Sequence, residues 1–318
     1  MQKDQRARRS IGGPDRESTV TRNRVPTIEL GGTHVAVAVI DATARAIVDG
    51  SYAARSIDSS GSAADLIDSI AASARTLGSD HTGRWAVAVP GPFDFDAGIA
   101  QYSGVGKFDS LHGVDLRARL ADALDADPAS FTFVNDADAF ALGEYAAGAA
   151  RGLSRFCCIT LGTGVGSGWV VDGERTDGAA PEGELHLLEF EGRRIEERMS
   201  RRAVRAAYAR RARCATAVPD VKEIADRARG GDPIASEVLE DAFSFLGRAL
   251  DGPLARFDAD ALVVGGTIAR SWDLLEPPLS GGLGRTGFPV LRAELGHEAP
   301  MIGAAFAADA TLLSAQGR

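Results

Sequence analysis

Short β-branched apolar runs alternate along this chain with segments whose apolar residues recur every three or four positions, the pattern of strands interleaved with amphipathic helices. Residues 27–40 read as a hairpin folded at Gly31-Gly32, and residues 46–51 as a candidate third strand. Residues 62–77 are predicted helical, because Leu66, Ile67, Ile70 and Ala74 share one face. Residues 85–89 form a buried strand stopped by Pro90-Gly91-Pro92. Asp115 reads as the N-cap of a helix carrying Leu116, Leu120 and Leu124. A short strand at 131–134 leads through Asn135-Asp136 into a helix over about 137–149.

The pattern then restarts. A strand at 156–161 turns back through 169–171, residues 195–211 read as one basic helix, and Pro233 opens a helix with Ile234, Val238, Ala242, Phe245 and Ala249 on one side. A strand at 261–264 precedes Gly265-Gly266-Thr267 and a further helix, and an Ala-rich helix spans 302–313. A hairpin, a glycine turn and alternating helices and strands thus occur twice, which predicts a duplicated α/β fold with a cleft between its halves. At 318 residues, two lobes are expected rather than one core.

Three glycine turns each follow an apolar strand: Leu30-Gly31-Gly32-Thr33, Leu161-Gly162-Thr163-Gly164-Val165-Gly166 and Val264-Gly265-Gly266-Thr267. Without Cβ atoms, successive N–H groups can point at phosphate oxygens, and three such loops suggest a convergent site for one polyanion. Asn135-Asp136 falls at the carboxyl end of a strand, where α/β sheets line their ligand crevices. A carboxylate there can accept the proton of an attacking hydroxyl, although Asn and Asp also serve as helix N-caps.

A net charge of −9 argues against a general nucleic-acid or membrane-surface binder. Cys157, Cys158 and Cys214 are an odd, small set, as expected in the cytoplasm, and neighbouring strand residues 157 and 158 face opposite ways, unsuited to chelating one metal. No apolar run reaches membrane-spanning length. Residues 1–24 are polar, with Arg6, Arg8 and Arg9 close together, and read as a disordered tail.

Taken in order, these motifs resemble the ROK family of sugar kinases, within the actin/hexokinase superfamily, over nearly the whole chain. Glu29-Leu30-Gly31-Gly32-Thr33 is similar to the first phosphate loop and Val89-Pro90-Gly91-Pro92 to the sugar-side turn. Asn135-Asp136-Ala137-Asp138-Ala139 with Gly143-Glu144 is similar to the catalytic segment, and residues 161–168 to the second phosphate loop. Gly183-Glu184-Leu185-His186 resembles the sugar-recognition block, Ile195-Glu196 with Ser200 the segment after the zinc loop, and Ile302-Gly303-Ala304-Ala305 the C-terminal signature. The resemblance implies a two-lobed actin-like, ribonuclease H-like fold, with 25–134 plus about 303–318 as the smaller lobe and 135–302 as the larger. It implies an ATP- and Mg²⁺-dependent kinase with Asp136 as general base. Gly31, Gly32, Thr33, Gly162, Thr163, Gly164 and Gly166 would hold phosphates, Gly265, Gly266 and Thr267 adenosine, and Gly91, Asn135, Asp136, Glu184, His186 and Glu196 the acceptor. A homodimer is implied as well.

Three departures mark an atypical member. Glu29 stands where the family usually has the Asp that helps hold hydrated Mg²⁺, and Glu reaches ~1.5 Å further. The Cys-rich zinc loop is replaced by residues 187–194, with no sulfur ligand, so no zinc site is expected. His186 lies one place earlier than the family's His. The segment around Gly104-Val105-Gly106-Lys107-Phe108 is also unusual, and Lys107 is either a solvated loop lysine or a contact for an acidic or hydroxylated acceptor. The expected reaction is phosphorylation of an exposed hydroxyl, the primary alcohol, of a sugar, amino sugar or C7-cyclitol. A plain glucokinase is the first alternative and a non-catalytic sugar sensor or regulator the second, the latter disfavoured because only 24 residues precede the first strand.

Overall fold

The computed structural model describes residues 23–176, 184–214 and 216–309. The proposed tail lies almost wholly outside this range, as do Gly183 and residues 310–313 of the expected terminal helix.

The first sheet is built on the hairpin of β1 (Arg24–Leu30) and β2 (His34–Asp41), in the register Glu29↔Ala36 and Leu30↔Val35. The short strands β3 (Ala46–Ile47) and β4 (Ala53–Ser56) both pair with β2. Of the strand expected over 46–51 only β3 forms, and Gly50, at φ +75°, lies between it and β4. On the other side of β1, β5 (Trp85–Val89) and β8 (Phe131–Asn135) continue the sheet in parallel, giving the order β3-β2-β1-β5-β8. A small hairpin, β6 (Phe93–Asp94) and β7 (Ile99–Ala100), follows the cis Gly91–Pro92 peptide.

The second sheet repeats this plan. β9 (Arg155–Leu161) and β10 (Val165–Val171) form the hairpin, β11 (Glu174–Arg175) extends it, and β14 (Ala261–Gly265) and β15 (Val290–Arg292) add in parallel, in the order β11-β10-β9-β14-β15. A separate hairpin, β12 (Glu189–Phe190) with β13 (Arg193–Arg194), lies between the two parts of this sheet in sequence. The duplication expected from the sequence is thus present in strand order and direction.

Helices fill three layers. α1 (Ala63–Ala74) and α2 (Leu116–Leu124) cover the outer face of the first sheet, capped by Ser62 and Asp115. α3 (Asp136–Ala147) and α9 (Ala299–Ala308) form the middle layer, sharing a core with the inner faces of both sheets. The outer face of the second sheet is covered by α4 (Glu196–Met199), α5 (Arg201–Arg211), α6 (Val221–Arg229), α7 (Pro233–Phe257) and α8 (Trp272–Gly282). The single helix expected over 195–211 is two. Ser200 adopts φ −68°, ψ 154°, ends α4, and caps α5 by accepting a bond from the Ala203 N–H. The helix expected directly after Thr267 begins as a 3₁₀ turn over Ile268–Ser271.

The middle layer is tight because its contact residues are small. A Cβ on Gly143 would fall on the carbonyl of Ala299, and one on Gly303 on the carbonyl of Ala139. Strand alternation matches this demand. On β5, Trp85, Val87 and Val89 face α1 and α2, whereas Ala86 and Ala88 face α9. The layer is fastened by Glu144, fully buried on α3, whose carboxylate accepts bonds from the N–H groups of Ala149 (2.8 Å), Glu294 (3.0 Å) and Leu295 (2.9 Å). Gly143-Glu144 and the C-terminal signature around Gly303 therefore act on one structural joint. Cys157 lies in the outer core of the second sheet and Cys158 in the middle layer, facing opposite ways as expected.

Candidate active site

The two hairpin turns and the ends of β5, β8 and β14 carry the residues singled out from the sequence, except Glu184, His186 and Glu196. Asn135 closes β8 and is the N-cap of α3, its Oδ1 accepting from the N–H groups of Ala137 (2.9 Å) and Asp138 (3.2 Å). That duty leaves its amide nitrogen on the other side, 3.8 Å from where a Cβ on Gly91 would stand. Asn135 takes the capping role, so Asp136 begins the helix with its carboxyl half-buried at the cleft. Desolvation raises the Asp136 pKa, Glu184 adds to the rise, and the nearby Lys107 ammonium opposes it.

Glu29, at the end of β1, is pushed from 4.5 up to about 7 by burial and then by the charge of Asp136. Two carboxyls sharing a partly dry site, each disfavouring ionisation of the other, are an arrangement that a cation would relieve. These hard oxygen donors fit a hydrated Mg²⁺. Among the described residues no group of three or more His, Cys, Asp or Glu is clustered to hold a metal ion directly.

Glu184 sits over Gly91, its Oε1 3.7 Å from the position of a Cβ there, and its Oε2 lies 3.2 Å from Nδ1 of His186. His186 lies on a short 3₁₀ turn, Leu185–Leu187, with its ring against Glu184. Glu196, on α4, meets the second glycine turn, with Oε1 3.2 Å from where a Cβ on Gly164 would be. A side chain at Gly164 would press on the Glu196 carboxylate and shift it by a few tenths of an ångström. In place of sulfur ligands, the β12–β13 hairpin is braced by Phe190 packed edge-on against Phe245 at 5.6 Å, by Arg198 over the same ring at 4.6 Å, and by an ion pair of Glu191 with Arg248 at 3.2 Å.

The second glycine turn is pinned from behind by the Arg201 N–H, which donates to the Gly162 carbonyl at 2.9 Å. Gly166 packs against Ala137 of α3, and Thr163 is exposed. Gly31 lies under the ring of His34, and the Thr33 carbonyl accepts a bond from Ile57. At the third turn the glycines have packing reasons of their own. A Cβ on Gly265 would strike Phe140, and Gly266, at φ +87°, passes against the backbone of Leu161. Thr267 Oγ1 then lies 3.6 Å from the position of a Cβ on Gly162, joining the third turn to the second.

Sequence reasoning undervalued two residues here. Lys107, read as an ordinary loop lysine or an acceptor contact, lies over Gly32 and acts on Asp136. Tyr102 is fully buried behind the site, donating its hydroxyl to the Pro90 carbonyl at 2.9 Å, and its own pKa is raised by burial and by Asp136. Nothing in the local sequence signals Tyr102, because its partner is ten or more residues away.

A sequence profile described as the ROK family matches residues 25–311. Glucokinase from Thermotoga maritima is 30% identical over 215 residues, covering 61% of this chain and 66% of the relative, so the chain spans a little under two thirds of that protein's length. The ROK hexokinase from Thermus thermophilus superposes with a TM-score of 0.72 at 25% identity, over 89% of this chain and 96% of that one. A ROK family glucokinase from Streptomyces griseus, solved in complex with glucose and AMPPNP, gives a TM-score of 0.72 at 24% identity, over 89% and 98%. The fold is the two-lobed actin-like arrangement expected from the sequence, and the chain belongs to the ROK family.

Proposed function

We propose that this protein transfers the γ-phosphoryl group of ATP to a hydroxyl, the primary alcohol, of a sugar, amino sugar or C7-cyclitol. The observation that carries the reading is Asp136. Its carboxyl stands at the end of β8 at the start of α3, within the influence of Lys107, Glu29 and Glu184 and flanked by glycine turns from both sheets. Burial makes it a stronger base than a solvated aspartate. In the reaction it takes the proton of the acceptor hydroxyl, the acceptor oxygen bonds to the γ-phosphorus, and the bond from that phosphorus to the ADP oxygen breaks. The turns at Gly31-Gly32-Thr33 and Gly162–Gly166 supply N–H donors to the phosphates, and Thr267 borders the nucleotide side. Glu29 would hold Mg²⁺ through water, and the ion would supply positive charge against the phosphates. Asn135, Glu184, His186 and Glu196 orient the acceptor, so catalysis is positioning plus electrostatics. No zinc is required in this reading, because the β12–β13 hairpin is held to the helices by packing and an ion pair. A plain glucokinase is the competing reading, favoured by the names of two relatives.

The test is a coupled ADP-release screen over hexoses, amino hexoses and cyclitols, with Asp136→Asn alongside. The variant is expected to lose ~10²–10⁴ in rate while still binding AMPPNP. ADP release with no acceptor, or near-wild-type turnover by folded Asp136→Asn, overturns the proposal. Glucose ahead of every other acceptor by tenfold or more in kcat/KM establishes the glucokinase alternative.

A further inference from the structure

The loop 103–113 brings a lysine to the centre of the site. The stem of Lys107 lies across Gly32, with Cδ 3.4 Å and Nζ 3.7 Å from where a Cβ at that glycine would stand. A methyl at 32 would only touch it, whereas a longer side chain there would compete with it for the space. The same ammonium is close enough to Asp136 to act on its ionisation, so the lysine neighbours both the first glycine turn and the proposed base. Among the described residues it makes no ion pair, which leaves its donors available.

The loop is built to hold it there. Phe108, the next residue, is fully buried in a left-handed conformation, φ 60° and ψ 16°, which a non-glycine residue adopts only when its surroundings enforce it. Its N–H donates to the Ser59 carbonyl at 2.7 Å, and its ring packs on Tyr102 at 5.6 Å. The Asp109 carboxylate gathers the N–H groups of Val105 (3.1 Å) and Gly106 (3.3 Å), and the Ser110 hydroxyl donates to the Gly61 carbonyl at 2.7 Å. Backbone strain and a buried anchor beside an uncommitted cation are features of a functional loop rather than of a solvated one.

We propose that Lys107 is a catalytic residue that donates through its ammonium to the γ-phosphoryl group during transfer, from the side of the Gly31-Gly32 turn. The proposal rests on the kinase reading above. As the acceptor oxygen bonds to phosphorus and the bond to the ADP oxygen breaks, negative charge spreads over the three equatorial oxygens. Lys107 stays protonated throughout, the acceptor proton goes to Asp136, and a fixed ammonium stabilises the spread charge.

The test compares wild type with Lys107→Gln, Lys107→Met and Lys107→Arg. Binding of ADP and of AMPPNP is measured by calorimetry with Mg²⁺ and no acceptor, followed by turnover with the best acceptor of the screen. Lys107→Gln and Lys107→Met, the latter keeping the apolar stem over Gly32, should bind ADP like wild type. Both should lose at least tenfold in AMPPNP affinity and ~10²-fold in kcat, with Lys107→Arg recovering part of each. Unchanged preference for AMPPNP over ADP in both neutral variants overturns the proposal. So does an effect confined to the acceptor KM, which would make the lysine a reader of an anionic acceptor. If wild type turns over no acceptor, the kinase reading fails, yet the AMPPNP-against-ADP comparison still decides whether Lys107 meets the γ-phosphate.

Discussion

Replacing Glu29 by Gln should stabilise the ligand-free protein above neutral pH, by an amount the site itself sets. The Glu29 carboxyl moves from 4.5 in the unfolded chain up to about 7 in the fold. Below pH 4.5 it is protonated in both states and imposes no penalty. Between those values the folded state holds a proton that the unfolded chain has released, so each pH unit costs the folded state about 1.4 kcal/mol. Above 7 both states are ionised and the accumulated cost stays constant at about 3 kcal/mol. The folded protein is thus favoured on the acid side, and the advantage is lost as pH rises through 7. A glutamine carries no such term. Denaturant unfolding of both proteins at pH 4.5, 6 and 8, without nucleotide or Mg²⁺, should show the variant's advantage opening from near zero to about 3 kcal/mol. Asp136 also has a raised pKa and shares the site, so the difference reports Glu29 together with its repulsion from Asp136. A difference that stays flat across the three pH values refutes the reasoning.

Two further outcomes concern the joint between the sheets. Gly303→Ala should cost about 3 kcal/mol or more, because the new methyl overlaps the Ala139 carbonyl and α9 cannot move off α3 without opening the middle core. Thermal melting checks this, and an unchanged midpoint contradicts the packing. Glu144→Gln should also cost about 3 kcal/mol, since an amide turns a donor toward N–H groups that the carboxylate accepted. Unfolding titrations measure the loss, and a variant as stable as wild type shows that the three bonds contribute little.

The sequence alone determined the strands that matter, the helix cap at Asp115, and the doubled plan. Alternation and capping are local: a strand such as 85–89 reads the same whatever lies beside it, and Asp115 needs only the N–H of Ala118. The glycine turns and Asp136 were equally legible as sequence. The contacts around them were not, because Glu184 over Gly91, Glu196 against Gly164 and Lys107 over Gly32 come from segments far away along the chain. The break at Ser200 was hidden because a serine is tolerated inside a helix, and only the packing of α4 and α5 on α7 made its capping conformation the better one. The reason for Gly265 and Gly266 was likewise out of reach, since Phe140 and Leu161 are far away along the chain. Lys107 is the extreme case: a lone lysine in a glycine-rich loop carries no pattern. Its place over Gly32 was decided by the buried ring of Phe108 and the turn of β1 into β2, contacts that exist only after the chain has folded.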